Sequence, residues 1–561
     1  MDVVSDHLKV VRKQFAVASV LTLFMLVLFY TVFGFYFESS ERWVAVVIQG
    51  DLTVAPYGIW FTDNHFLQIP VLARLASLFP NIPIYGIWYL ALMALYVWLW
   101  FFLCIRIIGR QTESMVWTLM LVIPFVGALL GTSLVYAYFM RVSILLTSVS
   151  LLLYLDYYLK GKNKPIFILF FLLGCSMRVS SAIMVLGIVT LLAMMCMPST
   201  KRLFKAFWFP WIFASVCMLT ILLYKTYSNN NGAKIDQIIE YALLDRGAIN
   251  PISIATTAED SIRYRAMTEH ALISDSAQIS IEFVKRLVDY DKLNLTGINE
   301  DDVKHLTEAC IPWLAINKWI LALLYCVLLV FAYGQRRKYL VQLLLLHIAA
   351  WAVILFIGLK INMYSYFIEP WLGVLFGMSY FLLLRNSGER PLFLWQKVLA
   401  VVFPVCACIN LWPVLHETSL IEKDHNSQAY VNLRYIDKIA ETGVPVIWVN
   451  LIDFHILPSD IFTRKETKVF QKCEYLCMYF WGYYPFAQER CKERLGFSPL
   501  DWPGMNKELH IRKGHVSFMM TEELAVFLHG YYSLLYDMSF ELERDVTQPE
   551  VLPGVFVYRL L

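Results

Sequence analysis

Residues 15–37 read FAVASVLTLFMLVLFYTVFGFYF, 23 positions without a charge, preceded by Lys9, Arg12 and Lys13. A helix needs about 20 apolar residues to cross the hydrocarbon core of a bilayer, and a basic flank ahead of such a run resembles a secretory leader. No small-residue cleavage site closes this run, so it reads as an uncleaved first membrane helix. Further runs of spanning or near-spanning length follow at about 82–105, 115–137, 142–159, 165–177, 181–197, 207–224, 314–333, 340–358, 365–384 and 396–416. The expectation is therefore an α-helical polytopic membrane protein with about 11 transmembrane helices.

Composition agrees with this class. The 561 residues are 59% hydrophobic and only 16% charged, with a mean hydropathy of +0.57, outside the range of soluble multidomain chains. The 47 basic and 44 acidic residues leave a net charge of +3, too small for a nucleic-acid binder. Cys104, Cys175, Cys196, Cys217, Cys326, Cys406 and Cys408 lie within apolar runs and read as small buried hydrophobes, and no Cys-x-x-Cys pair occurs.

The charges inform by position. Loops on one side hold Lys9, Arg12, Lys13, Arg106, Arg110, Lys160, Lys162, Lys164, Lys201, Arg202, Lys205, Arg336, Arg337, Lys338, Arg385, Arg390 and Lys397; the other side holds only Arg42, Arg74, Arg141, Arg178 and Lys360. The positive-inside rule then puts the N-terminus in the cytoplasm, and an odd number of spans puts the C-terminus outside. Three segments too polar to span, 38–80, 226–313 and 417–561, all fall on the outer side. The expected organisation is a transmembrane domain over 1–416, with outer loops 38–80 and 226–313, and an extracytoplasmic domain over 417–561.

Within that last segment, Gln428 to Ala440 has helical spacing, while Val444–Val449 and Gly554–Tyr558 are strand-like, so a small α/β domain is expected. Cys473, Cys477 and Cys491, with Cys310 in the preceding loop, could form one or two disulfides in an oxidising compartment. Spacing leaves their pairing open.

Chemistry is expected in the first outer loop. Asp51 and Asp63 flank an aromatic stretch, Asn64 and His65 follow the second acid, and Ile69 to Phe79 reads as an amphipathic helix lying in the interface. A carboxylate at that level accepts the proton of an incoming hydroxyl, or holds a divalent cation such as Mg or Mn against a lipid phosphate. The competing reading makes Asp63 the N-cap of the following helix. His65 could bind substrate, or simply hold the loop by hydrogen bonds. Arg141, Arg178 and Lys360, the last near Tyr364, Tyr366 and Glu369, are charges placed at the ends of spans. An ionised group at that depth is costly unless paired or hydrated, and their shared sign suits an anionic ligand such as a lipid phosphate; snorkelling to headgroups is the bland alternative.

The order of a first span, an acidic outer loop with an interfacial helix, two short helices meeting at Arg178, a long later outer loop and an external C-terminal domain resembles the GT-C superfamily. That superfamily includes protein O-mannosyltransferases, aminoarabinose transferases and oligosaccharyltransferase catalytic subunits. Thr62-Asp63-Asn64-His65-Phe66 is similar to its Asp-Glu-x-His-Phe type of motif, with Asn64 in place of the second acid, so a two-carboxylate metal site is not implied. Leu78-Phe79-Pro80-Asn81-Ile82-Pro83-Ile84-Tyr85-Gly86 and Gly297-Ile298-Asn299-Glu300-Asp301-Asp302 resemble uncharacterised bacterial multispanning relatives, loosely over the first 420 residues. The resemblance implies a glycosyltransferase of a bacterial inner membrane, working in cell-envelope polysaccharide biosynthesis. It would move a hexosyl or pentosyl group from a polyprenyl-phosphate donor to a hydroxyl of a surface glycan or glycolipid. Asp63 would be the catalytic base, and Asp51, His65, Arg141, Arg178, Lys360, Tyr364 and Glu369 would line the substrate site. A glycan polymerase or ligase using lipid-linked oligosaccharide, a lipid-linked oligosaccharide transporter and a non-catalytic assembly scaffold are the alternatives.

Overall fold

A computed structural model describes the chain apart from residues 1, 50–64, 113, 163, 198, 228–256, 270–274, 276, 288–299, 334, 361–364, 387–391, 442–445, 450–456, 464–473, 478–495, 498–500, 513–515, 549 and 551–553. Its frame is helical: α1 (Asp2–Val32), α4 (Ile84–Thr112), α5 (Met115–Val135), α6 (Phe139–Leu159), α7 (Ile166–Met177), α8 (Val179–Cys196), α9 (Thr200–Tyr227), α12 (Glu300–Ala332), α13 (Arg337–Lys360), α14 (Ser365–Asn386) and α15 (Leu394–Glu441). Among the described residues, nine of these helices are long and apolar enough to cross a membrane. The difference from eleven lies at α7, with 12 residues, and at α12, whose apolar part is Asn317–Ala332. At 1.5 Å per residue α7 spans only about 18 Å, short of the roughly 30 Å hydrocarbon core.

Burial orders the helices. From Phe139 to Tyr157 every residue of α6 is buried, as expected of a helix that is apolar all round and carries small Ser143, Thr147, Ser148 and Ser150 where neighbours approach. By contrast α1, α9 and α13 expose Phe24, Val27, Ile212, Val216, Leu344 and Ile348. Apolar faces of that extent are stable against lipid, not water.

At one end of the bundle the two-residue strands β1 (Tyr36–Phe37) and β2 (Tyr136–Ala137) pair in parallel, setting the last turns of α1 and α5 side by side. That end also carries α2 (Ser39–Ile48), α3 (Gln68–Leu78), α10 (Ala258–Thr268), α11 (Ile281–Leu287) and a five-stranded mixed sheet of order β4-β3-β5-β7-β6. The strands are β3 (Val446–Val449), β4 (Glu474–Cys477), β5 (Val516–Thr521), β6 (Leu542–Arg544) and β7 (Val555–Leu560), with α16 (Trp502–Ile511) and α17 (Glu522–Tyr536) between them. Val46 of α2, Met267 of α10, Phe283 of α11 and Ile436 of α15 share one core with Trp502, Phe518 and Tyr531. Buried Asp275 accepts hydrogen bonds from Tyr531 Oη (2.8 Å) and Tyr536 Oη (2.6 Å), tying the 226–313 loop to α17; burial raises its carboxyl above the ordinary value.

One sequence expectation changes here. The boundary at 416/417 falls within α15, 48 residues and about 72 Å long, which carries the last span straight into the sheet's core. The amphipathic helix expected over Ile69 to Phe79 is α3, burying Ile69, Leu72, Ala73 and Ala76 and exposing Val71, Leu75 and Leu78, with Leu67 at its N-cap position; Asp63 lies outside the described residues. Cys310, Cys473, Cys477 and Cys491 have side chains outside the described residues.

The segment 457–463 lies directly on the membrane bundle. Phe37 N donates to Ser459 O at 2.6 Å, and a Cβ on Gly86 would collide with the backbone carbonyl of Ile461. Only glycine permits that approach.

On the charge count this sheet end is expected to face outside. A cysteine replacing Gly554, beside β7, is thus expected to react with a membrane-impermeant maleimide in intact cells; protection until the cells are permeabilised would reverse the orientation.

Candidate functional site

The buried polar groups of the sheet end gather where α1, α4, α5, α6, α14 and α15 approach one another. Glu38 and Glu41 stand at the β1–α2 junction. The first turn of α4 brings Tyr85; β2 and the start of α6 bring Tyr136, Phe139 and Arg141; α14 brings Glu369, and α15 brings Glu422 and His425. A helix end is the natural place for such groups, because unpaired backbone donors and acceptors already make it polar.

Two ion pairs frame the cluster. Arg141 Nη1 lies 2.9 Å from Glu369 Oε2 and donates to Thr132 O at 2.8 Å, with 2% of the residue exposed. Arg42 Nη2 lies 3.1 Å from Glu422 Oε2, while its Nη1 is 2.6 Å from His425 Nε2. Tyr136 Oη donates to Glu422 Oε1 at 2.9 Å. Glu38 faces both pairs. Burial raises its carboxyl above the ordinary value; Arg141 opposes that shift, while Glu369 and Glu422 add to it. One of its oxygens, Oε2, is buried without a hydrogen-bond partner among the described residues.

A second knot surrounds His65. Glu41, fully buried, accepts from Tyr85 Oη and from Phe139 N (3.2 Å); His65 Nε2 lies 3.3 Å from Glu41 Oε2 and 2.9 Å from Tyr85 Oη. The ring's Nδ1 is buried and unpartnered among the described residues. His65 N donates to Met177 O at 2.9 Å, pinning the first loop to the α7–α8 junction where Arg178 sits. Both His65 (φ 56°) and Leu67 (φ 61°) take the left-handed conformation, which costs a residue with a Cβ about 1–2 kcal/mol. Strain of this kind persists where surrounding contacts over-determine the backbone, as they do here. The Arg178 guanidinium lies 5.3 Å above the Phe139 ring, and its Nε donates to Ser180 Oγ at 3.1 Å.

The structure thus brings His65, Arg141, Arg178 and Glu369 to one end of the bundle. Asp51, Asp63 and Tyr364 lie outside the described residues, as does the side chain of Lys360. Among the described residues no group of three or more His, Cys, Asp or Glu side chains could hold a metal.

Sequence reasoning passed over Glu38, Glu41, Arg42, Tyr85, Glu422 and His425. A signal did exist: Glu38-Ser-Ser-Glu41-Arg42 is a charged cluster at the mouth of the first span. Its charged groups find their partners on the first loop, α4, α6 and α15, up to 383 positions away, so their burial could not be read locally.

An apolar crevice of about 240 Å³ opens between α1, α4, α5 and α15, lined by Met25, Phe29, Phe33, Leu411, Trp412 and Leu415 among others. Its upper end adjoins the polar cluster. Ser419 Oγ donates to Phe33 O at 2.6 Å, and Glu422 lies one turn further along α15.

No family model, curated protein or solved structure gives a significant match to this chain.

Proposed function

We propose that this protein is a membrane glycosyltransferase that moves a sugar from a polyprenyl-phosphate carrier to a hydroxyl of a glycan or glycolipid at the outer face. The observation that carries the reading is Glu38, a half-buried residue whose Oε2 is buried and whose carboxyl is raised above its ordinary value, set between two arginine–carboxylate pairs at the mouth of the bundle. Perturbed carboxyls in such surroundings are matched to proton transfer. Glu38 takes the acceptor's proton, and Asp63, two positions before His65 in the first loop, is the alternative base. The pairs Arg141–Glu369 and Arg42–Glu422 hold the pocket's charge and shape. Arg178 binds the departing phosphate, because its planar fork matches phosphate oxygens. The crevice beside Phe33 and Trp412 takes the carrier's chain, leaving its phosphate near the polar cluster. A bacterial inner membrane, with its polyprenyl carriers, is the setting.

The test is sugar transfer by the full chain in liposomes holding a radiolabelled polyprenyl-phosphate hexose and a lipid-linked glycan acceptor. Transfer that depends on Glu38 supports the reading. Movement of the intact lipid-linked sugar between leaflets without transfer would replace it with transport.

Arg178→Lys is expected to weaken donor binding by roughly tenfold, and Arg178→Ala by up to about a hundredfold, as for the loss of one charged hydrogen-bonding group. Equilibrium binding of a fluorescent polyprenyl phosphate reads the difference. Unchanged affinity in the alanine variant would remove Arg178 from the phosphate site.

A further inference from the structure

At the end of the bundle opposite the sheet, the last turns of α4 and α6 meet in a charge cluster that the proposed chemistry leaves unused. Asp156 is fully buried, and its Oδ2 serves three cations: Arg106 Nε at 2.6 Å, Lys160 Nζ at 3.0 Å and Arg110 Nη2 at 3.4 Å. Arg106 is 5% exposed and lies 4.1 Å above the Tyr157 ring, its charge committed to the α4–α6 contact. The other two side chains open outward, 38% exposed for Arg110 and 30% for Lys160.

Among the described residues, one carboxylate against three cations leaves two positive charges in a half-buried site. The C-terminal dipoles of α4 and α6 neutralise part of this, about half a charge each. Burial, opposed by Asp156 and reinforced by the two arginines, pushes the Lys160 ammonium down to about 8, so the site carries more positive charge than it solvates comfortably. Lys397 Nζ, donating to Thr112 O at 3.4 Å, adds a further cation at the same end of α4.

Among the described residues no further carboxylate answers these cations at the ends of two apolar helices, and an anion from the bilayer would supply the counter-charge. Basic pockets between spanning helices on the positively charged side suit such headgroups. We infer that Arg110 and Lys160, set by Arg106 and Asp156, form a binding site for the phosphate group of an anionic membrane lipid at the end of the bundle opposite the sheet. This inference does not depend on the transferase reading.

The test is native mass spectrometry of the full chain released from phosphatidylcholine nanodiscs doped with phosphatidylglycerol, with Arg110→Gln/Lys160→Gln as the variant. The Arg106–Asp156 pair is left intact. The wild-type chain is expected to retain phosphatidylglycerol over phosphatidylcholine. Each basic group near the membrane surface contributes about fivefold in binding, so the double variant should lose about thirtyfold of that preference. Should the double variant fail to fold, Arg110→Gln alone should lose about fivefold. Equal retention of both lipids by the wild-type chain overturns the site, as does an undiminished preference in a folded variant. Displacement of phosphatidylglycerol by inorganic phosphate assigns the cluster to a free anion and overturns the lipid.

Discussion

Glu38→Gln is expected to lower sugar transfer by about a hundredfold to ten-thousandfold, the usual range for loss of a general base, without lowering the melting temperature. The sign of the stability effect follows from the carboxyl's environment. Its value is raised in the folded chain because burial disfavours the charged form. A raised carboxyl contributes stability that is full below its unfolded value and is lost as pH rises from there through the raised folded value. At neutral pH, above the unfolded value, holding the Glu38 carboxyl in this site is therefore a cost to the fold, and glutamine removes it. Activity that needs the ionised form should show an acid limb displaced upward from the ordinary carboxyl range in the wild-type pH profile. Glu41→Gln supplies the contrast, because Glu41 is fully buried between Tyr85, His65 and the Phe139 amide, so its loss should depress the melting temperature. Full transfer by Glu38→Gln, with Asp63→Asn inactive, would move the base role to Asp63.

Arg141→Ala is expected to destabilise the chain by about 3–5 kcal/mol, because it strands Glu369 in the interior without its partner. The Arg141 side chain is 3% exposed and that of Glu369 15%, so little water is available to take over the charge. Arg141→Met combined with Glu369→Leu should recover much of the loss, since replacing both members of a buried pair with apolar groups is often neutral. Thermal unfolding of the purified protein in one detergent compares the three. A single variant melting with the wild type would show that the pair is not held in a dry interior. The same change removes the largest influence opposing the upward shift of Glu38, so any residual transfer should need a still higher pH.

The polytopic helical class was legible in runs such as 15–37 and 115–137, because the length of apolar sequence needed to cross hydrocarbon is a local property. The same locality made β3 and β7 readable as β-branched, aromatic runs. It misled at 417, where polar composition suggested a boundary although α15 continues unbroken: backbone hydrogen bonds propagate a helix through a change of solvent as readily as through a uniform one. Singling out Arg141, Arg178 and Lys360 needed only the rule that charge at a span's end demands a reason. What answers each of them is a matter of packing.

By itself the sequence determined that this chain is a bundle of membrane-crossing helices with its polar mass in three segments, since hydropathy and charge act residue by residue. It took the packing of the helices to set Glu38, Arg141, Glu369 and Glu422 together beside the Glu41–His65 knot, and to gather three cations on Asp156 at the opposite end. The physical reason is that desolvation and ion pairing depend on which helix ends meet. Those meetings are set by side-chain packing between segments hundreds of residues apart, about which a single charged residue in the sequence carries no information.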